Sequence, residues 1–161
     1  IYPTHLNRNP KLLKEGAKIT KQGVTVDIDL TEEDLVQSLS SFVEHGGDLN
    51  LLTLSTDASI NSPLTMFNQL KEVHINLGWQ WEKILPLVTT NPAKTLKLSH
   101  KGKIEVGADG DIVVINKKDL TIKDVIIKGK VFVKDGKFIH ELKSAQESNR
   151  KVEFYGKKNL R

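Results

Sequence analysis

One strand, helix, strand succession constrains the fold more than anything else in the sequence. Val24-Thr25-Val26-Asp27-Ile28 alternates in the manner of a strand and is rich in β-branched residues. Thr31 opens a helix, with Asp34 three residues on as an approximate capping box. Leu35, Leu39, Phe42 and Val43 then fall on one helical face, and Gly46-Gly47 ends the run. Leu51-Leu52-Thr53-Leu54 is a short apolar strand. A helix of this length between two strands cannot close a tight hairpin. It specifies a βαβ unit with parallel strands and a right-handed crossover.

The flanking residues extend the pattern. Asn9 and Pro10 are suited to cap and open a helix over 9–21, with Leu12, Leu13, Ala17 and Ile19 as its apolar stripe and Gly23 as its stop. Residues 58–66 read as a polar loop and 67–75 as a short helix. A firmer helix is expected from Trp79 to about Val88, bent or ended by Pro86, and another from Asn91 as N-cap to about Leu98. At residue 101 the texture changes to short strands with close turns, at about 103–106, 111–115, 122–128, 130–134 and 137–140. Asp135-Gly136 is a strong hairpin signal. Residues 141–161 are a polar tail in which Val152-Glu153-Phe154-Tyr155 could add one strand. The expected organisation is an α/β portion over 1–100, a small antiparallel β domain over 101–140, and the tail.

Composition excludes several function classes. The 161 residues contain no cysteine, which removes disulfide frameworks, Cys-based zinc sites, iron–sulfur centres and a cysteine nucleophile. The net charge of +4 is ordinary for a soluble protein, the lysines are scattered, and aromatics make up only 6%, so nucleic-acid binding is not favoured. No apolar run approaches the ~18–20 residues of a membrane span. Ile1-Tyr2-Pro3-Thr4-His5 shows no signal-peptide pattern. The expectation is a cytoplasmic chain that opens on the end of a strand and begins mid-fold.

Parallel sheets and barrels carry chemistry at the C-terminal ends of their strands. Three ends can be read: Ile1 to Thr4 running into His5, Val24 to Ile28 ending near Asp29, and Leu51 to Ser55 running into Asp57. Imidazole nitrogen and carboxylate oxygen are both good zinc ligands, so His5 and Asp57 at one mouth suit a metal site. Asp57 could instead be the general base that deprotonates a metal-bound water. The plainer alternatives are a loop or capping histidine and an aspartate that caps a turn.

Pro3-Thr4-His5-Leu6-Asn7-Arg8-Asn9, Gly23-Val24-Thr25-Val26-Asp27-Ile28 and Leu54-Ser55-Thr56-Asp57 together resemble the late barrel of the β-aspartyl (isoaspartyl) dipeptidases, metal-dependent hydrolases of the amidohydrolase superfamily. Thr90-Asn91-Pro92-Ala93, Lys101-Gly102-Lys103-Ile104, Gly107-Ala108-Asp109-Gly110-Asp111-Ile112-Val113-Val114 and Lys128-Gly129-Lys130-Val131 resemble the superfamily's C-terminal part more generally. The resemblance covers about residues 1–140.

It implies the last three or so strands of a (β/α)8 TIM-like barrel followed by a small antiparallel β-sandwich. His5 matches a ligand of one zinc in a binuclear pair. Arg8 matches the arginine that holds the substrate's carboxylate. Asp57 matches the aspartate that binds metal and shuttles the proton. The implied reaction is hydrolysis of the β-linked amide of an isoaspartyl dipeptide by a metal-bound hydroxide. A cyclic-amide hydrolase of the dihydroorotase or hydantoinase kind, or a non-catalytic scaffold that kept the fold, are the alternatives.

One departure bears on substrate binding. Family members usually carry glycines just after the aspartate and a substrate-binding serine four residues on. Here Asn61 takes that place and Ser62 follows it, in Ala58-Ser59-Ile60-Asn61-Ser62-Pro63. The superfamily's His-x-His pair is absent from the sequence. A complete barrel needs about 250 residues. The isolated chain is therefore expected to bind zinc weakly, to be inactive, and to expose unpaired strand edges. Its implied partners are the N-terminal part of the barrel, a small dipeptide and, when complete, further copies in a homo-oligomer.

The remaining candidates read as structural. Asp27 is expected to make a structural hydrogen bond, His45 to sit at a helix C-terminus, and His74, His100 and His140 to be solvated. Trp79 and Trp81 are expected to pack helices, and the glycines at 102, 107 and 110 to form tight turns.

Overall fold

The structure is a computed structural model and describes residues 2–30, 34–56 and 63–139. The chain divides into two units between Asp109 and Gly110.

The first unit is built on the expected βαβ core. β1 (Val26–Asp29) and β2 (Leu52–Ser55) pair in parallel, with Val26 opposite Leu52, Asp27 opposite Thr53, and Asp29 opposite Ser55. Alternation along each strand sends Val26, Ile28, Leu52 and Leu54 to one face and Asp27, Asp29, Thr53 and Ser55 to the other. The apolar face belongs to a core cluster that also contains Leu13 and Ala17 of α1 (Pro10–Thr20) and Leu35, Leu39 and Phe42 of α2 (Leu35–Glu44). Leu70 and Val73 of α3 (Pro63–Leu77), Ile84 of α4 (Trp81–Ile84) and Leu87 of the following 3-10 turn complete the cluster. The other face is polar, with Asp27, Asp29 and Thr53 buried and Ser55 half-buried, and it carries the candidate site.

Several elements differ from the sequence expectation for identifiable reasons. β1 starts at Val26, after the turn at Gly23 has used Val24 and Thr25 to enter the sheet. Tyr2 to Thr4 form no strand. The Asp27 amide donates to the Pro3 carbonyl at 2.9 Å, but Pro3 has no N–H with which to continue a ladder. Asp34 is itself the N-cap of α2, accepting from the Val36 and Gln37 amides, while Thr31 lies outside the described residues. Val43, placed on the buried face by its spacing, is exposed. α3 is fifteen residues long because Pro63 serves as its opening residue. The run after Trp79 is split, since Pro86 lacks the amide an α-helix needs and the chain tightens into a 3-10 turn over Leu85–Val88.

α5 (Thr90–Thr95) ends earlier than expected. Lys97 adopts a left-handed conformation and the Leu98 amide reaches back to the Ala93 carbonyl, a helix-terminating pattern. Asn91 is inside α5 and is not its cap. Its side-chain amide donates to the Leu49 and Leu52 carbonyls, both at 2.7 Å, and so ties α5 to the start of β2. Residues 103–106 form no strand. The Asp109 amide bonds the His100 carbonyl, His100 Nδ1 lies 3.2 Å from the Gly107 carbonyl, and Lys101 Nζ pairs with Asp109 at 2.8 Å. Those local bonds close a loop where a ladder was expected.

The second unit is one antiparallel sheet in the order β3 (Ile112–Ile115), β4 (Ile122–Ile127), β5 (Lys130–Lys134), β6 (Lys137–Phe138). Asp135 and Gly136, at φ 48° and 72°, make the expected hairpin turn. No residue of these strands is fully buried. The described residues of this unit form one small antiparallel sheet. The run Ile112-Val113-Val114-Ile115 puts apolar side chains on both faces, and both faces therefore call for a covering layer. Residues 140–161, including His140 and the strand expected over 152–155, lie outside the described residues. Among the described residues no helix is long and apolar enough to cross a membrane.

Candidate functional site

The site is organised by the short segment that precedes α1. Leu6–Arg8 form a single 3-10 turn entered through His5, which is in the left-handed region at φ 59°. Leu6 is buried against Gly16 of α1 and pins the turn to the helix. Asn9 then caps α1 by accepting from the Lys11 amide at 2.9 Å, and Pro10 takes the first helical turn. With both ends held, His5, Asn7 and Arg8 all reach the last residue of β1, Asp29.

Asn7 binds the backbone of Asp29. Its Nδ2 donates to the Asp29 carbonyl at 2.7 Å, and its Oδ1 accepts from the Asp29 amide at 3.3 Å. The side-chain amide thus takes the place of a neighbouring strand at the end of β1. His5 and Arg8 bind the carboxylate. His5 Nδ1 lies 2.8 Å from Asp29 Oδ2, and Arg8 Nη2 donates to the same oxygen at 2.9 Å. The Asp29 side chain is fully buried, whereas those of His5 and Arg8 are 42% and 48% exposed. The other oxygen, Oδ1, is buried without a hydrogen-bond partner among the described residues. Burial pushes the Asp29 carboxyl up, but the His5 and Arg8 hydrogen bonds and positive charges outweigh it. The group is held below the usual carboxylate range.

Two residues back along β1, Asp27 occupies a different environment. Thr53 Oγ1 donates to its Oδ1 at 2.5 Å, Ser55 Oγ to its Oδ2 at 2.6 Å, and the Tyr2 hydroxyl to Oδ1 at 3.2 Å. The Tyr2 and Thr53 hydroxyls are also in direct contact. Burial raises the Asp27 pKa, the three hydroxyl bonds pull the other way, and the nearby Asp29 charge adds to the rise. The net shift is upward. Asp27 is thus the structural hydrogen-bonding residue that its position predicts.

Of the expected site residues, the structure brings His5 and Arg8 together on Asp29. Asp57, Asn61 and Ser62 lie outside the described residues. Among the described residues no group of three or more His, Asp or Glu side chains could hold a metal ion. The His5 imidazole nevertheless has the form of one zinc ligand. Nδ1 sits 2.8 Å from Asp29 Oδ2 without an aligned hydrogen bond, and an imidazole can offer its other nitrogen, Nε2, to a metal. Asp29 and Asn7 were not among the expected site residues. The available signals were the two-residue spacing from Asp27 to Asp29, which repeats one strand face, and the place of Asn7 midway between His5 and Arg8.

The other histidines divide. His45 Nδ1 lies 2.8 Å from the Ser41 carbonyl at the end of α2, as expected of a helix C-terminus. His74 is not simply solvated. It stacks on Trp81 with ring centroids 5.1 Å apart, and its Nδ1 lies 2.7 Å from the Trp79 carbonyl. Trp79 and Trp81 pack against the core.

A family model for the amidohydrolase family matches residues 6–132. The chain belongs to the amidohydrolase family. Among solved structures it is similar to the β-aspartyl dipeptidase of the thermophilic, keratin-degrading Fervidobacterium islandicum AW-1, at 30% identity and a TM-score of 0.77 over 88% of this chain and 40% of that one. The same dipeptidase in complex with a β-Asp-Leu dipeptide superposes at a TM-score of 0.79 with 28% identity, over 88% of this chain and 42% of that one. An adenine deaminase of Carboxydothermus hydrogenoformans is 28% identical over 113 residues, 68% of this chain and 19% of that protein. A dihydroorotase of Methanosphaera stadtmanae is 40% identical over 52 residues, 30% of this chain and 12% of that protein. This amidohydrolase chain thus spans about two-fifths of the length of the dipeptidase it resembles in structure and less of the other two.

Proposed function

We propose that this amidohydrolase chain is the C-terminal part of a zinc-dependent peptidase that hydrolyses the β-linked amide of isoaspartyl dipeptides. The observation that carries the reading is the pairing of His5 and Arg8 on one buried carboxylate at a strand end. A potential zinc ligand and a potential carboxylate anchor, three residues apart on one turn, suit a substrate that presents an amide to a metal and a free carboxylate beside it. The likeness to the Fervidobacterium dipeptidase supports the same substrate class.

In this reading Arg8 holds the substrate carboxylate through its fork of N–H donors, which a carboxylate can engage at two points. His5 offers Nε2 to a zinc ion, and Asp57 and residues of the N-terminal part of the barrel supply the other ligands. A zinc ion held there would supply Lewis acidity toward the scissile carbonyl and the attacking water. Asp57 takes a proton from that water as its oxygen bonds to the amide carbon. It then delivers the proton to the leaving amine as the C–N bond breaks, leaving a carboxylic acid and an amine, and the acid's remaining proton passes on to give a carboxylate and an ammonium group. Asn61 and Ser62 offer hydrogen-bonding groups to the substrate. A homo-oligomer is the proposed assembly of the complete protein.

The experiment is a kinetic comparison of the full-length protein with its Arg8→Lys variant on β-Asp-Leu. Exchanging a fork for a point charge should raise KM about tenfold, the equivalent of one charge-assisted hydrogen bond, with little change in kcat. An unchanged KM removes Arg8 from substrate binding. The dihydroorotase similarity favours a second reading, hydrolysis of a cyclic amide, and dihydroorotate in the same assay separates the two.

A further inference from the structure

We infer that Asp29 is a positioning residue that couples the zinc-ligand histidine to the substrate-anchoring arginine. The inference rests on the dipeptidase reading of His5 and Arg8 and assigns that site a residue acting through both. A single oxygen, Asp29 Oδ2, lies 2.8 Å from His5 Nδ1 and 2.9 Å from Arg8 Nη2. Displacing or removing that oxygen alters both contacts at once, because both converge on one atom.

Burial argues for a purpose beyond folding. A structural ion pair commonly shields both partners, and an isosteric asparagine would fill the same space without a countercharge. Here the acid is wholly buried while His5 and Arg8 stay 42% and 48% exposed. The carboxylate therefore serves as a fixed base from which two half-exposed side chains project. The Asp29 backbone is held independently: Asn7 grips both its amide and its carbonyl, and β2 pairs with it through Ser55. A carboxylate fixed in this way restrains the imidazole through its close contact at Nδ1, on the side away from Nε2, and restrains the guanidinium by accepting a hydrogen bond from one of its two terminal nitrogens. Asp29 touches neither metal nor substrate in this role.

The test uses the full-length protein and its Asp29→Asn variant. Two quantities are measured at fixed pH: zinc affinity, by competition with a chelator and without substrate, and KM for β-Asp-Leu. The inference predicts that both change together. Zinc binding should weaken about 10- to 100-fold, as for loss of other outer-shell partners, and KM should rise about tenfold. Far-UV circular dichroism reports whether the variant folds. Where it does not, Asp29→Glu keeps the charge but moves it by one methylene, and should weaken both quantities by smaller factors. Wild-type values for both, or a change in only one of them, overturn the inference. A wild-type protein that binds no zinc and cleaves no β-linked dipeptide overturns the dipeptidase reading and this inference with it. Failure of the inference alone leaves wild-type zinc binding and turnover in place.

Discussion

Arg8 and His5 share one oxygen of Asp29, with Nη2 and Nδ1 at 2.9 and 2.8 Å from Oδ2. That convergence ties the turn before α1 to the end of β1, and it makes the local fold sensitive to the charge on a single carboxyl.

Acid should loosen this link. The Asp29 pKa is lowered in the folded protein: burial raises it, and the His5 and Arg8 interactions more than offset that rise. A lowered folded-state value means that the unfolded chain binds the proton more readily. The stabilisation is thus fully present above the ordinary carboxylate value of about 4 and is lost as pH falls through the folded value. Denaturation midpoints measured from about pH 6 down to pH 2 should fall more steeply for wild type than for Asp29→Asn. Parallel curves would contradict the assignment.

Asp27 should behave in the opposite sense. Burial is the largest influence and its pKa is raised, so the folded state holds the proton more readily than the unfolded one. Its ionised form costs stability once pH has risen through the folded value, and that cost is absent below the unfolded value. Asparagine keeps the volume and an Oδ1 acceptor for Thr53 and Tyr2, its amide nitrogen can donate to Ser55 Oγ in place of accepting from it, and it carries no charge. Asp27→Asn should therefore compare more favourably with wild type at neutral pH than at about pH 3, as read by urea denaturation. A comparison that improves toward acid would be the contrary result.

Gly16 is the helix position on which the site turn rests. A Cβ there would run into Leu6 Cδ1, although Gly16→Ala would gain about 1 kcal/mol of helix propensity. Overpacking costs about 1–3 kcal/mol, so the net change should be a loss of about 1 kcal/mol, seen as a lower Tm. Because Leu6 sits between His5 and the Asn7–Arg8 pair, the same substitution should also raise KM for the β-linked dipeptide in the full-length protein. A higher Tm would show that Leu6 yields without moving the turn.

The sequence was most informative where local chemistry and tertiary packing agree. The βαβ core, the Asn9-Pro10 helix start and the Asp135-Gly136 turn follow from residue spacing, because nothing elsewhere competes with them. Asn91 shows the limit: its Asn-Pro pair suits a helix start, yet two carbonyls near the start of β2 claim its side chain. Residues 103–106 alternate in the manner of a strand, but the bonds from His100, Lys101 and Asp109 fold them into a closed loop. The Pro-Thr-His-Leu-Asn-Arg pattern singles out His5 and Arg8, and the structure places both against Asp29. No such pattern singles out Asp29, because its importance comes from a contact between positions more than twenty residues apart in sequence. Spacing within one segment carries no record of such a contact.

The central claim is that this amidohydrolase chain belongs to an enzyme selective for the β-linked amide. The most direct measurement is kcat/KM of the full-length protein for β-Asp-Leu and for its α-linked isomer under identical conditions. The account predicts hydrolysis of the β-linked dipeptide with a strong preference over the α-linked one. Equal turnover of both isomers, or of neither, would contradict it.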